Sequence, residues 1–411
     1  MTNYKKRLGT AIATVAILAN AYTPAFAGTT ITITGNGADS DNDAVVNNSQ
    51  NTTVNQTNSA NFTNNVSGSA NTGDNDANKN NGGTVTVKTG DASVNNTVSN
   101  AANQNWANVS CCGQGNTEVK IGNNAADSNN TVNLYDKNTV KVNQDNDADF
   151  HNYVNGTAKT GNNDANKNNG GDVTVKTGDA WVNNTVTNWA NANSAKVGSK
   201  GDGSDVSLKI VNNGAGSDND IVVNKNSTVN VTQDNDADFY NKVKGKANTG
   251  DNNANQNNGG DVTVETGDAS VNATVDNMAN FNWADLNCGC LFGDGGLTVN
   301  IDKNAADSDN NVNGYFKSKQ KANQDNDADF NNHVKNLNAT TGNNDANENN
   351  PGGHGDPSIH TGDASVGADV NNTANLNGLG GNQPEWPSWN WNGIHVSLDF
   401  NLSDLLAALG L

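Results

Sequence analysis

Residues 142–150 read V-N-Q-D-N-D-A-D-F, and near copies stand at 231–239 (V-T-Q-D-N-D-A-D-F) and 322–330 (A-N-Q-D-N-D-A-D-F). A looser copy, V-N-Q-T-N-S-A-N-F, occupies 54–62. The glutamines of this motif, Gln56, Gln144, Gln233 and Gln324, recur at steps of 88, 89 and 91 residues. Two other markers keep nearly the same step. T-G-D-A places glycine at Gly90, Gly178, Gly267 and Gly362, and T-G-[DN]-N-[DN]-A-N places it at Gly73, Gly161, Gly250 and Gly342. Self-similarity at a fixed period marks a repeat architecture. Four tandem units follow: 28–116, 117–204, 205–296 and a more degenerate 297–381, then a segment of different text at 382–411.

Inside each unit the text alternates polar and β-branched residues, as in T-V-T-V-K-T at 84–89, with Gly-Gly and Asn-Asn punctuation. Period two means strand, and the punctuation means turns. Markers within a unit fall about 15–17 residues apart, which predicts about five short coils per unit. The expected fold is all-β: a β-solenoid of four units of about 88 residues with a C-terminal cap. Composition fits a slim interior. The chain has 87 Asn, 43 Gly, 5 Pro and only 33% hydrophobic residues. Asn at the corners can stack into amide ladders along the axis. A tandem array of four β-sandwich domains is the alternative, but no unit carries the large apolar core it would need. Low hydrophobicity and a net charge of −20 also suit disorder; in-phase Val, Ala and Gly argue against it.

Lys5, Lys6 and Arg7 precede a short apolar run, and A-F-A at 25–27 supplies a small-residue cleavage site. Residues 1–27 therefore read as a secretory signal peptide. Its removal takes the net charge from −20 to −23 and leaves no arginine. Nucleic acid is excluded as a partner on that ground, because phosphate binding rests on Lys and Arg clusters. No apolar stretch of membrane length follows, so the mature chain has no expected membrane span. The expected location is extracellular or on a bacterial cell surface.

The carboxylates set the choice of chemistry. Asp145, Asp147 and Asp149 lie at i, i+2 and i+4, which puts all three on one face of a strand. Asp234, Asp236 and Asp238 repeat this, as do Asp325, Asp327 and Asp329; unit one has Thr57, Ser59 and Asn61 instead. Catalysis needs one unique constellation, and these motifs recur in equivalent places, so an enzyme is not expected. The nine aspartates are either a calcium site or a solvated acidic face. The repeat glutamines and the T-G-D-A glycines are the fold-specifying positions. Cys111 and Cys112 occupy the same place in unit one as Cys288 and Cys290 in unit three, as local disulfides or as cross-links between chains. Trp386, Trp389 and Trp391, with Leu405, Leu406 and Leu409, make the tail the most apolar part of the mature chain, a cap or a docking surface.

The text V-x-Q-x-N-x-A-x-F in a secreted Asn/Gly-rich chain resembles the curlin repeat of bacterial amyloid fibres, Q-x-G-x-x-N-x-A. Gln144, Asn146 and Ala148 fit a shortened form that lacks the glycine. The T-G-[DN]-x-x-A-N and T-G-D-A strings are similar to large repetitive bacterial surface proteins. Both resemblances imply a structural fibre, adhesin or envelope component that associates with itself. The expected function is thus a secreted structural protein of filaments, a surface layer or a biofilm. A calcium-dependent or glycan-binding adhesion module is the alternative.

Overall fold

The inward-facing text of one unit is nearly the inward-facing text of the next, so the units can stack with like residue on like. The computed structural model shows this arrangement. It describes residues 8–13, 16–21, 28–109, 116–198, 205–286, 296–350, 352, 355–381, 390–391 and 394–395. Unit one contributes β3 (Thr29–Thr34), β4 (Asp41–Asn71), β5 (Val85–Lys88) and β6 (Ala92–Val109), after two N-terminal strands, β1 (Leu8–Ala13) and β2 (Ala16–Ala21). Unit two contributes β7 (Thr117–Gly122), β8 (Asn129–Lys159), β9 (Val173–Lys176) and β10 (Ala180–Val197). Unit three gives β11 (Val206–Val211), β12 (Asp218–Asn248), β13 (Val262–Glu265) and β14 (Ala269–Leu286). Unit four gives β15 (Leu297–Asp302), β16 (Asp309–Thr340), β17 (Ser358–His360) and β18 (Ala364–Leu379). A two-residue pair, β19 (Asn390–Trp391) and β20 (Ile394–His395), follows.

Every strand of a unit pairs in parallel with its counterpart in the next, in the orders β4-β8-β12-β16, β3-β7-β11-β15, β5-β9-β13-β17 and β6-β10-β14-β18. The fold is a repetitive β-solenoid, and the array of separate sandwiches is ruled out. The expected coil length is corrected, however. Gln56 pairs with Gln144, Gln144 with Gln233 and Gln233 with Gln324. A whole unit is therefore one coil, not five. The chain makes four very broad coils, each dominated by a strand of 31 or 32 residues, roughly 100 Å long at ~3.3 Å per residue.

Two layers face each other across a thin interior. In coil two, β8 turns Gln144, Asn146, Ala148, Phe150 and Asn152 inward. They meet the inward residues of β10 and its neighbours, among them Ala190, Asn188 and Asn193. Phe packs against Ala in one cluster, and Val, Leu and Ile fill another between the β3 and β4 sheets. Asparagine is not confined to corners. It occupies the interior itself, and also the turns, where Asn163 and Asn168 are buried. One backbone irregularity recurs without a change of register: Asn103, Asn191, Asn280 and Asn375 all have positive φ near 60°, a conformation Asn tolerates better than most residues.

Glycine marks where coils approach most closely. A Cβ on Gly161 would lie 1.7 Å from the Gly250 carbonyl oxygen, and one on Gly250 1.8 Å from that of Gly342. Neither clash can be relieved by turning a side chain. Gly161→Ala is therefore expected to destabilise the chain by at least ~3 kcal/mol, the upper range for overpacking, measured by urea unfolding.

Candidate functional site

The repeated inward positions build continuous columns of like side chains. Gln144 Nε2 donates to Gln56 Oε1 at 2.8 Å and to the Ser194 carbonyl at 2.9 Å. Gln233 and Gln324 repeat the first bond, each to the glutamine of the preceding coil at 2.8 Å. These glutamines hold the rungs in register while tying β8 to the opposite layer. Asn58, Asn146, Asn235 and Asn326 form a second ladder, in which each Nδ2 donates to the next Oδ1 at 2.9 Å. Asn105, Asn193 and Asn282 run parallel to it on the facing layer and are bonded across to it. Asn103, Asn191, Asn280 and Asn375 make a third ladder, and each Nδ2 of the first three also reaches a backbone carbonyl opposite. A buried amide is costly without partners. Here each coil supplies the partners of the next.

Phe62, Phe150, Phe239 and Phe330 stack between the amide columns, with ring centroids 4.8 to 5.3 Å apart. The alternation that puts Phe150 inward extends to its repeats, whereas the sequence reading places the asparagine ladders at the corners and not in the strand interior, where Asn58, Asn146 and Asn235 are buried.

The T-G-D-A glycines serve close approach. A Cβ on Gly178 would meet Gly90 backbone carbon at 2.6 Å, and Gly267 and Gly362 repeat the situation against the preceding coil. Gly90, in the first coil, would meet nothing within 4 Å.

The aspartates lie on the outer face. In-register pairing stacks them in three columns: Asp145, Asp234 and Asp325; Asp147, Asp236 and Asp327; Asp149, Asp238 and Asp329. Thr57, Ser59 and Asn61 stand at the coil-one end of these columns. Among the described residues no group of three or more His, Cys, Asp or Glu is arranged to hold a metal ion. The central aspartates are crowded. Desolvation, then the charges of Asp145 and Asp325, raises the carboxyl of Asp234 above its ordinary range. Desolvation followed by Asp327 and Asp147 does the same for Asp236, as do desolvation, Asp329 and Asp149 for Asp238.

A raised carboxyl pKa means the folded state holds the proton more tightly than the unfolded one. The crowding thus weakens the fold at neutral pH, and stability returns as pH falls through the raised values toward 3.8. Asp236→Asn is expected to raise the melting temperature at pH 7 by roughly 1–2 °C, solvent screening keeping the effect small. The gain should shrink in melts as the pH is lowered through the raised range toward 3.8, where the wild-type carboxyl takes up its proton.

Other charges bridge coils singly. Lys225, buried in β12, lies 3.4 Å from Asp136 in β8. Its ammonium is pushed down by desolvation, against the opposing pull of Asp136. Lys159 and Asn162 donate to Asp74 of the preceding coil and, with Asn71, hold its carboxyl at about 2.

Cys111, Cys112, Cys288 and Cys290 lie outside the described residues. The strands before them, β6 and β14, are two positions apart in one sheet, whereas five short coils per unit would set them ten coils apart. Trp386, Trp389, Leu405, Leu406 and Leu409 also lie outside the described residues, and of Trp391 only the backbone pairing is described. No helix among the described residues is long and apolar enough to cross a membrane.

The chain matches no protein-family model, no curated protein and no solved structure.

Proposed function

We propose that this chain is a secreted bacterial structural protein, a building block of extracellular filaments, a surface layer or a biofilm matrix. The observation that carries the reading is the four-fold repetition of the same buried amide and aromatic columns. Chemistry that is identical in every coil suits a wall, whereas an active site needs a combination that occurs once. In-register stacking of like residues is also the arrangement that lets one chain continue into another. Electron microscopy of the chain from residue 28, with and without residues 382–411, tests the reading. Filaments or sheets are expected, and monomers under all conditions would sink it.

The crowded aspartate columns favour one other reading, a calcium-dependent surface module, because a divalent cation would relieve their repulsion. Melting the chain across a calcium titration separates the two. An unchanged melting temperature at millimolar calcium removes the metal.

A further inference from the structure

The two ends of the stack are not alike, and each lacks what the other carries. At the coil-four end, inward apolar residues stand open: Val366 is 52% exposed, Leu376 53% and Leu379 66%. Their counterparts one coil earlier, Val271, Phe281 and Ala284, are buried. A further rung would cover them.

At the coil-one end, two amide ladders stop at acceptors that no donor reaches. Asn58 Oδ1 and Asn103 Oδ1 have no hydrogen-bond partner, so each ladder ends on an unused acceptor, with β1 and β2 pairing along β6 on either side of Asn103. In later coils the equivalent oxygens accept from the Nδ2 of the preceding coil. The coil that would supply the missing donors to coil one is one with coil-four text, through Asn326 and Asn375.

We propose that the coil-four edge binds the coil-one edge of a second copy of this chain, in parallel and in the same register as the internal coils. This rests on the filament reading and names its junction. Asn326 Nδ2 then donates to Asn58 of the next copy, and Asn375 Nδ2 to Asn103. Asp325, Asp327 and Asp329 meet Thr57, Ser59 and Asn61 rather than more carboxylates, so the acidic columns are broken at every junction. The junction inside the chain between coils one and two shows the same contact, with Asn61 Nδ2 donating to Asp149 at 3.2 Å. The tail at 382–411 contains neither Q-x-N-x-A-x-F nor T-G-D-A.

Two glycines mark the junction. Gly73, Gly161 and Gly250 each face the carbonyl of the next coil, but a Cβ on Gly342 would meet nothing within 4 Å. Gly178, Gly267 and Gly362 each face the preceding coil, but a Cβ on Gly90 would meet nothing. Neither Gly342 nor Gly90 has the positive φ that demands glycine. Within one chain both tolerate alanine; at the proposed junction Gly342 abuts Gly73 of the next copy, and Gly90 abuts Gly362 of the copy before.

Residues 8–13 and 16–21 pair in parallel along the free edge of β6, so the coil-one edge is fully open only when they are removed. Assembly is therefore tested with the chain from residue 28. The wild type is expected to form long oligomers that gain about 19 Å per copy, four rungs at ~4.8 Å. Gly342→Ala and Gly90→Ala are each expected to melt like the dispersed wild type, and each alone to sediment as a monomer. Mixed together they are expected to form heterodimers and nothing longer, because each retains the edge the other lacks. Three results overturn the junction. A wild type that stays monomeric overturns it along with the filament reading. Wild-type and variant chains that assemble equally overturn the junction and leave the filament reading standing. Homodimers of either variant alone show that copies meet by a symmetric contact instead.

Discussion

Phe239→Ala is expected to cost ~3–5 kcal/mol, the range for deleting a fully buried aromatic side chain. Phe239 is fully buried and sits between Phe150 and Phe330, with centroids 4.8 and 5.3 Å away. Parallel pairing fixes the coils above and below at ~4.8 Å, so the walls cannot close on the vacancy. The facing side chains in that cluster are alanines, too short to fill it. Loss of two ring contacts adds to the cost of the cavity. Phe62→Ala removes the same atoms from the end of the column, where the ring is half-buried and touches one neighbour. Its cost is expected to be about half as large. Equal values in urea unfolding would show that the column carries no energy of its own.

Asn146→Leu is expected to cost ~3–5 kcal/mol, although it preserves volume and adds apolar surface. Asn146 is fully buried. Its Nδ2 donates to Asn193 and Asn235, and its Oδ1 accepts from Asn58 and Asn105, at 2.8 to 2.9 Å. A protein hydrogen bond contributes about 1 kcal/mol net, and a buried group left without a partner costs more than the bond contributed. Four bonds at one residue therefore outweigh the gain from burying leucine. Asn143, one position before Gln144, faces solvent and donates to Asn55 in a single exposed bond, with Thr232 on the next rung. Asn143→Leu should fall within ~0.5 kcal/mol of wild type. The comparison separates an interior ladder from asparagine content as such.

The repeat length, the strand phase and the outward placement of the aspartates were all legible in the sequence. Alternation alone predicts that Ala148 and Phe150 face in while Asp149 faces out, and they do. Coil length was not legible, because ordinary strands run 3–10 residues and the T-G markers fall at spacings that suit short coils. One clue was available: residues 41–67 alternate without a single Gly or Pro, which is the text of one long strand. The amide interior was hidden for a different reason. Asparagine is a poor strand former by propensity and becomes a good one only when a copy of itself lies at the same place in the next strand. That property belongs to the stack, so no window of the sequence displays it. Gly342 and Gly90 follow the same logic, since their need for glycine emerges only with a neighbour that a single chain does not supply.

One unit makes one coil, with each repeat glutamine paired to the next. Asn143 and Thr232 are exposed partners on adjacent rungs, so nitroxides placed there through a genetically encoded keto residue report the rung spacing without involving the native cysteines. Backbones ~4.8 Å apart predict strong dipolar broadening of the continuous-wave spectrum. Five short coils per unit would set the two sites about 24 Å apart on the same spacing, and separate domains would set them farther still. An unbroadened spectrum would contradict the account.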